Sequence, residues 1–244
     1  KKSGENITQM GGPFVPAIYY WPYSFTYAHG TYFGSNDGST LTPDNSGFRS
    51  ILEFTARQVA KWGKDSFNNY VTSGASAVYT PQDPFLQGTQ VFRMDGPWFY
   101  NMAQDAGINF GVMPLPGTKA MGGDGYSLLD TSNVYIPTTA KNKEGAWDFV
   151  KYMTVGEGAK HFVVKKGDLP ALLKLTSDPE VISAAPSNEV FLSVVAKNNY
   201  YSLPQFSETA LYQKHIQDAI TDVMLGTSVD KALGDLVTKS RSLV

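Results

Sequence analysis

The 244 residues carry a formal net charge of −2, with 42% hydrophobic and 17% charged side chains. That balance excludes a disordered chain, allows a substantial core in one large or two small domains, and offers no global attraction to nucleic acid or anionic lipid. The absence of cysteine excludes disulfides, thiolate metal sites and a cysteine nucleophile but is compatible with any compartment.

The chain opens as loop through Gly12. Residues 16–27 (Pro-Ala-Ile-Tyr-Tyr-Trp-Pro-Tyr-Ser-Phe-Thr-Tyr) are too aromatic to be solvated and read as a short helix or an irregular wall. Thr31-Tyr32-Phe33 and Thr40-Leu41 flank a hairpin turn at Asp37-Gly38. Pro43-Asp-Asn-Ser46 starts a helix with Phe48, Ile51, Leu52, Val59 and Trp62 at helical spacing, stopped by Gly63.

Residues 88–100 (Gly-Thr-Gln-Val-Phe-Arg-Met-Asp-Gly-Pro-Trp-Phe-Tyr) hold the most information. A short strand, Val91 to Met94, is expected to stop at Pro97, which lacks an amide hydrogen, so that Trp98 and Tyr100 follow at its mouth. Two readings of Trp98 stand: a core anchor, or a flat ring offered to the apolar face of a sugar beside polar groups for its hydroxyls. A short helix to Ala106 and a buried strand from Asn109 to Met113 are expected next. Gly122-Gly-Asp-Gly125 reads as a loop of close backbone approach, either to a ligand or to another strand, and feeds strands near Tyr126–Leu129 and Val134–Ile136.

Asn142 caps a helix with Ala146, Phe149, Val150 and Met153 expected inward, and a second helix runs to about Val164. Pro179 and Pro186 each start another. Tyr212, Ile216, Ile220 and Val223 stripe a long helix stopped by Gly226, and Ser228 caps the last, with Val229, Ala232, Leu233, Leu236 and Val237 inward. Strands among helices, then helices alone, indicate an α/β protein.

Catalytic chemistry finds little support. His29, His161 and His215 are far apart and fit no metal-binding spacing, and Gly122–Gly125 lacks the Gly-Lys-Ser/Thr ending of a phosphate loop. Asp95, Asp124 and Asp130 could supply carboxylates for a hydrolase, but nothing in the sequence pairs them, and Asp95 reads as stabilising its own turn. No apolar run approaches the roughly 20 residues of a membrane span.

In order along the chain, several elements resemble the bacterial extracellular solute-binding proteins of sugar ABC importers, the maltose-binding-like group. They are Tyr19-Tyr20-Trp21 with Gly30 and the Asp-Gly hairpin, the helix ending at Trp62, and the Gly88…Met94-Asp-Gly-Pro-Trp98 unit. Further matches are Val112-Met-Pro-Leu-Pro-Gly117 with Gly122-Gly123, Ile136-Pro…Lys141-Asn-Lys-Glu-Gly-Ala-Trp147-Asp-Phe-Val, Gly167-Asp-Leu-Pro170, and Leu225-Gly…Ser228-Val-Asp-Lys-Ala-Leu233.

The resemblance implies a periplasmic-binding-protein-like type II fold, two lobes closing on a sugar by hinge motion, with neither catalysis nor a cofactor. It implies a C-terminal lobe at 1–125 and 176–244, and a segment, 126–175, that returns to an N-terminal lobe otherwise absent. It nominates Trp21, Trp98, Tyr20 and Tyr100 as stacking rings, Gly123 and Asp124 as backbone contacts, and Tyr200, Tyr201 or Tyr212 to complete the wall. Implied partners are a mono- or oligosaccharide and ABC permease subunits, in a periplasmic or extracellular setting with membrane contact only through a lipid anchor or permease.

The family's first domain-sized stretch is not in this sequence, so the chain reads as a C-terminal portion expected to bind sugar weakly or not at all alone. Unpaired strands in the returning segment would then be poorly ordered or would pair with a neighbouring copy. Rival readings are a carbohydrate-active hydrolase or lyase, and a solute-binding protein for a glycerol phosphate, amino acid or polyamine.

Overall fold

The computed structural model describes residues 1–12, 21–118 and 125–244, with Trp21 described by its backbone alone. In chain order the elements are β1 (Lys2–Ser3), β2 (Asn6–Ile7), α1 (Trp21–Ala28), α2 (Ser46–Trp62), α3 (Lys64–Ala77), α4 (Phe99–Asp105), β3 (Ser127–Leu128) and α5 (Lys143–Thr154). They continue with α6 (Glu157–Lys166), α7 (Pro179–Ala184), α8 (Asn188–Ala196), β4 (Tyr200–Tyr201), α9 (Thr209–Met224) and α10 (Val229–Ser240). The chain divides into two compact units: Lys1–Asp95, Pro114–Leu129 and Asn199–Val244 form one, Gly96–Met113 and Asp130–Asn198 the other. Residues 96–113 and 176–198 thus cluster with 130–175, a different partition from one drawn at 126 and 175.

The first unit is built around one hydrophobic core. α2, α9 and α10 each carry an apolar stripe, and the stripes meet through Phe48, Ile51 and Leu52, through Tyr212, Ile216, Ile220 and Val223, and through Ala232, Leu233 and Leu236. Tyr23 and Tyr27 of α1 and the loop residue Phe33 fill the remaining space, all with no exposed surface. Each buried side chain of this size contributes about 1.5–3 kcal/mol on leaving water. Asn45 sets where α2 begins: its Oδ1 accepts from Phe48 N at 2.9 Å, and its Nδ2 donates to Tyr32 O and Thr42 O at 3.2 and 3.0 Å. The cap therefore also ties the preceding hairpin to the helix. Within that hairpin Gly34 bridges Leu41 antiparallel, and Gly38 takes φ +70° at the tip.

Sheet structure among the described residues is sparse. β1 and β2 pair antiparallel, and β3 and β4 pair parallel, Ser127 with Tyr200 and Leu128 with Tyr201. The expected strand Val91–Met94 is only the start of a ladder: Met10 bridges Gln90, and Val91 N and Phe92 N donate to Met10 O and Gly11 O at 3.1 and 3.0 Å. Beyond that point no second strand lies alongside among the described residues, and Phe92 is 61% exposed. The buried strand expected at Asn109–Met113 is not formed either, and Met113 is 64% exposed. Of the two strands expected after Gly125, the first pairs within the chain as β3, while residues 134–136 form no strand and Val134 and Tyr135 are exposed. Gly125 itself shows close backbone approach, since its N donates to Leu115 O at 2.8 Å and an added Cβ would stand 2.8 Å from that of Ala28.

The second unit has a small core of Ala159, Val163, Leu175 and Val181, where α6 and α7 meet. α5 is capped as expected, with Gly145 N donating to Asn142 Oδ1 at 2.9 Å, but none of its residues is buried. Phe149, expected inward, is 59% exposed because no layer among the described residues covers that face.

Candidate functional site

Trp98 caps α4 with helical backbone angles, φ −58° and ψ −21°, directly after Gly96-Pro97. It belongs to neither hydrophobic core and is half-buried. Its ring folds back so that a methyl group at Gly96 would overlap its six-membered portion. Lys166, the last residue of α6, places its Nζ 5.6 Å from the centre of that ring and 5.2 Å from the centre of the Phe162 ring. Asp168 Oδ2 accepts from the same ammonium at 2.9 Å. The second unit therefore brings two partly exposed aromatics, a cation and a carboxylate together at one place.

Local structure fixes this grouping. Gly167 ends α6 in the left-handed region, φ +76°, which turns the chain so that Asp168 reaches back to Lys166. Asn101 Nδ2 donates to Lys165 O at 3.3 Å and so docks the end of α6 on α4. Asn188 Nδ2 donates to Asp168 O at 3.1 Å, and Leu169 N donates to Asp168 Oδ1 at 3.0 Å.

Tyr100 is two residues from Trp98 and so faces another direction on the helix. Its hydroxyl accepts from Gln104 Nε2 at 2.9 Å, and its ring meets Phe110 edge-on at 5.4 Å. These two rings do not form one platform.

In the first unit, Tyr201 stacks on Tyr32 with centroids 4.1 Å apart and planes inclined 24°. Tyr27 lies 5.0 Å from Tyr201, and Tyr126 meets Tyr32 edge-on at 6.3 Å. The Tyr201 hydroxyl donates to Gly34 O at 2.9 Å. Burial, with Tyr126 and Tyr201 beside it, pushes the Tyr32 phenol above its ordinary range. The group is a tyrosine wall in which Tyr27 is fully buried and Tyr32, Tyr126 and Tyr201 are half-buried, and of these the sequence nominated only Tyr201 for a ligand. Tyr200, the other candidate on this strand, is half-buried and pairs with Ser127.

Tyr212 is a core residue, not a wall residue. It is 1% exposed, its hydroxyl donates to Phe33 O at 2.8 Å, and burial drives its phenol far upward. Tyr20, Gly123 and Asp124, and the side chain of Trp21, lie outside the described residues. Asp95 is tied to residues outside its own turn. Arg93 Nε donates to its Oδ2 at 2.7 Å and the Tyr79 hydroxyl to its Oδ1 at 3.0 Å. No group of three or more potential metal ligands occurs among the described residues, and no helix there is long and apolar enough to cross a membrane.

Sequence reading missed Phe162, Lys166 and Asp168. Their local signal was an aromatic and a cation four residues apart just before Gly167-Asp168; the link to Trp98 is not local.

Residues 8–189 match the family described as bacterial extracellular solute-binding proteins. The chain is 28% identical over 148 residues to the maltotriose-binding protein of Pyrococcus abyssi, covering 59% of this chain and 32% of that protein. It is 26% identical over 226 residues to the maltooligosaccharide ABC transporter solute-binding lipoprotein of Streptococcus pneumoniae R6, covering 90% and 51%. The chain thus spans about half the length, or less, of these curated relatives. Among solved structures, CpMnBP1 with mannobiose bound superposes with TM-score 0.78 at 22% identity, covering 98% of this chain and 60% of that one. The maltose-maltodextrin binding protein of Alicyclobacillus acidocaldarius gives TM-score 0.72 at 19% identity, covering 95% and 62%. These likenesses establish the fold as part of the type II periplasmic-binding-protein architecture.

Proposed function

The chain belongs to the bacterial extracellular solute-binding proteins, and we propose that it grips a saccharide and presents it, chemically unchanged, to the permease of an ABC importer. The observation that carries this reading is the placement of Trp98. Its indole is half-buried, belongs to neither core formed among the described residues, and is flanked by a cation and a carboxylate. An aromatic face beside fixed polar groups suits a pyranose, whose carbon–hydrogen face is apolar and whose rim carries hydroxyls. The relatives named for maltotriose and maltooligosaccharides support the same ligand class.

Under this reading Trp98 is the principal stacking ring. Trp21, Tyr20, Tyr100 and Tyr201 supply further aromatic contact, and Gly123 and Asp124 contribute backbone contacts. The full-length protein carries a lipid anchor or secretion signal and closes two lobes on its ligand. Residues 126–175 are the segment that returns to its N-terminal lobe.

Intrinsic tryptophan fluorescence and calorimetry on this chain, against maltotriose, mannobiose, spermidine and glycerol 3-phosphate, test the proposal. The expected result is saturable, millimolar-range binding of a saccharide, a standard free energy of about −4 kcal/mol, that Trp98→Ala removes. Saturable binding of spermidine or glycerol 3-phosphate with no response to sugar would overturn the ligand class. Release of reducing ends on incubation would overturn the absence of catalysis.

A further inference from the structure

Phe162 and Lys166 stand four residues apart on α6 and so share one face, and that face carries the ammonium to Trp98 of α4. The Lys166 side chain is 43% exposed, so it can move, while Asp168 is 22% exposed and held from three sides. We propose that Lys166, Asp168, Trp98 and Phe162 form one saccharide subsite, in which the two rings take the apolar face of a pyranose and the ammonium–carboxylate pair takes a vicinal diol. This rests on the carbohydrate reading above and adds the residues that select the sugar.

The chemistry of the pair fits a diol. An ammonium only donates and a carboxylate only accepts, whereas each sugar hydroxyl does both, so adjacent hydroxyls can satisfy both partners at once. Lys166 Nζ lies over the Trp98 ring. A sugar that stacks on Trp98 displaces the ammonium sideways to its hydroxyls, where Asp168 keeps it in reach. Because the two charges cancel, the subsite prefers a neutral saccharide to an acidic one. Removing the carboxylate charge leaves the ammonium uncompensated and turns that preference toward a uronate.

The test compares wild type, Lys166→Met, Lys166→Arg, Asp168→Asn and Trp98→Ala by calorimetry against maltotriose and digalacturonate, with a thermal melt of each. Lys166→Met should weaken maltotriose about tenfold, the size of one lost charge-assisted hydrogen bond. Lys166→Arg should recover part of that loss. Asp168→Asn should shift the ratio of digalacturonate to maltotriose affinity upward by about tenfold, an effect a purely structural role would not produce. Should Lys166→Met melt early, the Asp168→Asn ratio decides alone. If Trp98→Ala abolishes binding while Lys166→Met and Asp168→Asn keep wild-type affinity and ratio, the subsite is wrong and the carbohydrate reading stands.

Discussion

Arg93 donates from Nη1 to both carboxylate oxygens of Asp83, at 2.7 and 2.6 Å, with the side chains 4% and 0% exposed. Asp83 also accepts from Phe85 N at 3.0 Å and from Tyr79 N at 3.2 Å, and Tyr79 sits at φ +61° to make that contact. Removing the guanidinium would leave Asp83 and Asp95 buried without their cation. Breaking one partner of such a group costs about 3–5 kcal/mol, far more than a surface pair. Arg93→Met should therefore lower the unfolding free energy by that amount in urea titrations. A loss below about 1 kcal/mol would mean the carboxylates find water instead.

Tyr212→Phe separates a core role from a ligand role. The hydroxyl donates to Phe33 O, which also accepts from Thr42 N at 2.9 Å, so the carbonyl keeps one partner after the change. A loss of about 0.5–1.5 kcal/mol in stability is expected, toward the lower end, with saccharide affinity unchanged. A tenfold loss of affinity at wild-type stability would return Tyr212 to the ligand wall.

What the sequence revealed follows from where both sides of an element are covered. The stripes of α2, α9 and α10 were legible because the first unit buries most of each, and the run 43–46, where Asn45 is the cap, and Ser228 marked their helix starts through local signals alone. The same logic failed at α5 and at Asn109–Met113. An apolar pattern states that a face wants burial, and only a neighbouring layer can supply it. Tyr212 misled as a site residue because ring chemistry is identical in a wall and in a core; its place at the head of the Ile216–Ile220 stripe was the better guide. Lys166 and Asp168 acquire meaning only when α6 docks on α4 through Asn101 and Lys165, a pairing that no spacing rule contains.

His215 on α9 makes acid stability testable. Burial lowers its imidazole below the ordinary value, Lys239 and Lys214 lower it further, and Asp218 opposes them. Its buried Nδ1 has no hydrogen-bond partner among the described residues. The unfolded chain takes up a proton near the ordinary histidine pKa of about 6.5, where the folded state still refuses it. The contribution is therefore intact above that pH and is lost as pH falls, until the folded-state value is passed. Urea titrations at pH 7.5 and 5.5 should show a smaller acid loss for His215→Gln than for wild type. Equal losses would assign the pH dependence to other groups.

Gly96 tests whether the pose of Trp98 governs ligand binding. Its φ lies outside the positive region, and a residue before proline favours extended backbone, so alanine fits the main chain without strain. The obstacle is the Trp98 ring, which a Cβ would overlap. Gly96→Ala should push the indole off its place, separate it from Lys166 and give up a contact worth about 0.5–1 kcal/mol at an exposed site. Because the ring is half-buried and belongs to neither core, the unfolding free energy should change by no more than about that amount. On the proposed subsite, affinity for saccharide should fall at least about tenfold, since the indole would leave the Lys166–Asp168 pair. Tryptophan emission, maltotriose calorimetry and urea titration on the one variant distinguish the outcomes. Shifted emission with lost affinity at preserved stability supports the pose, while wild-type emission and affinity would show that the ring sits elsewhere when ligand binds.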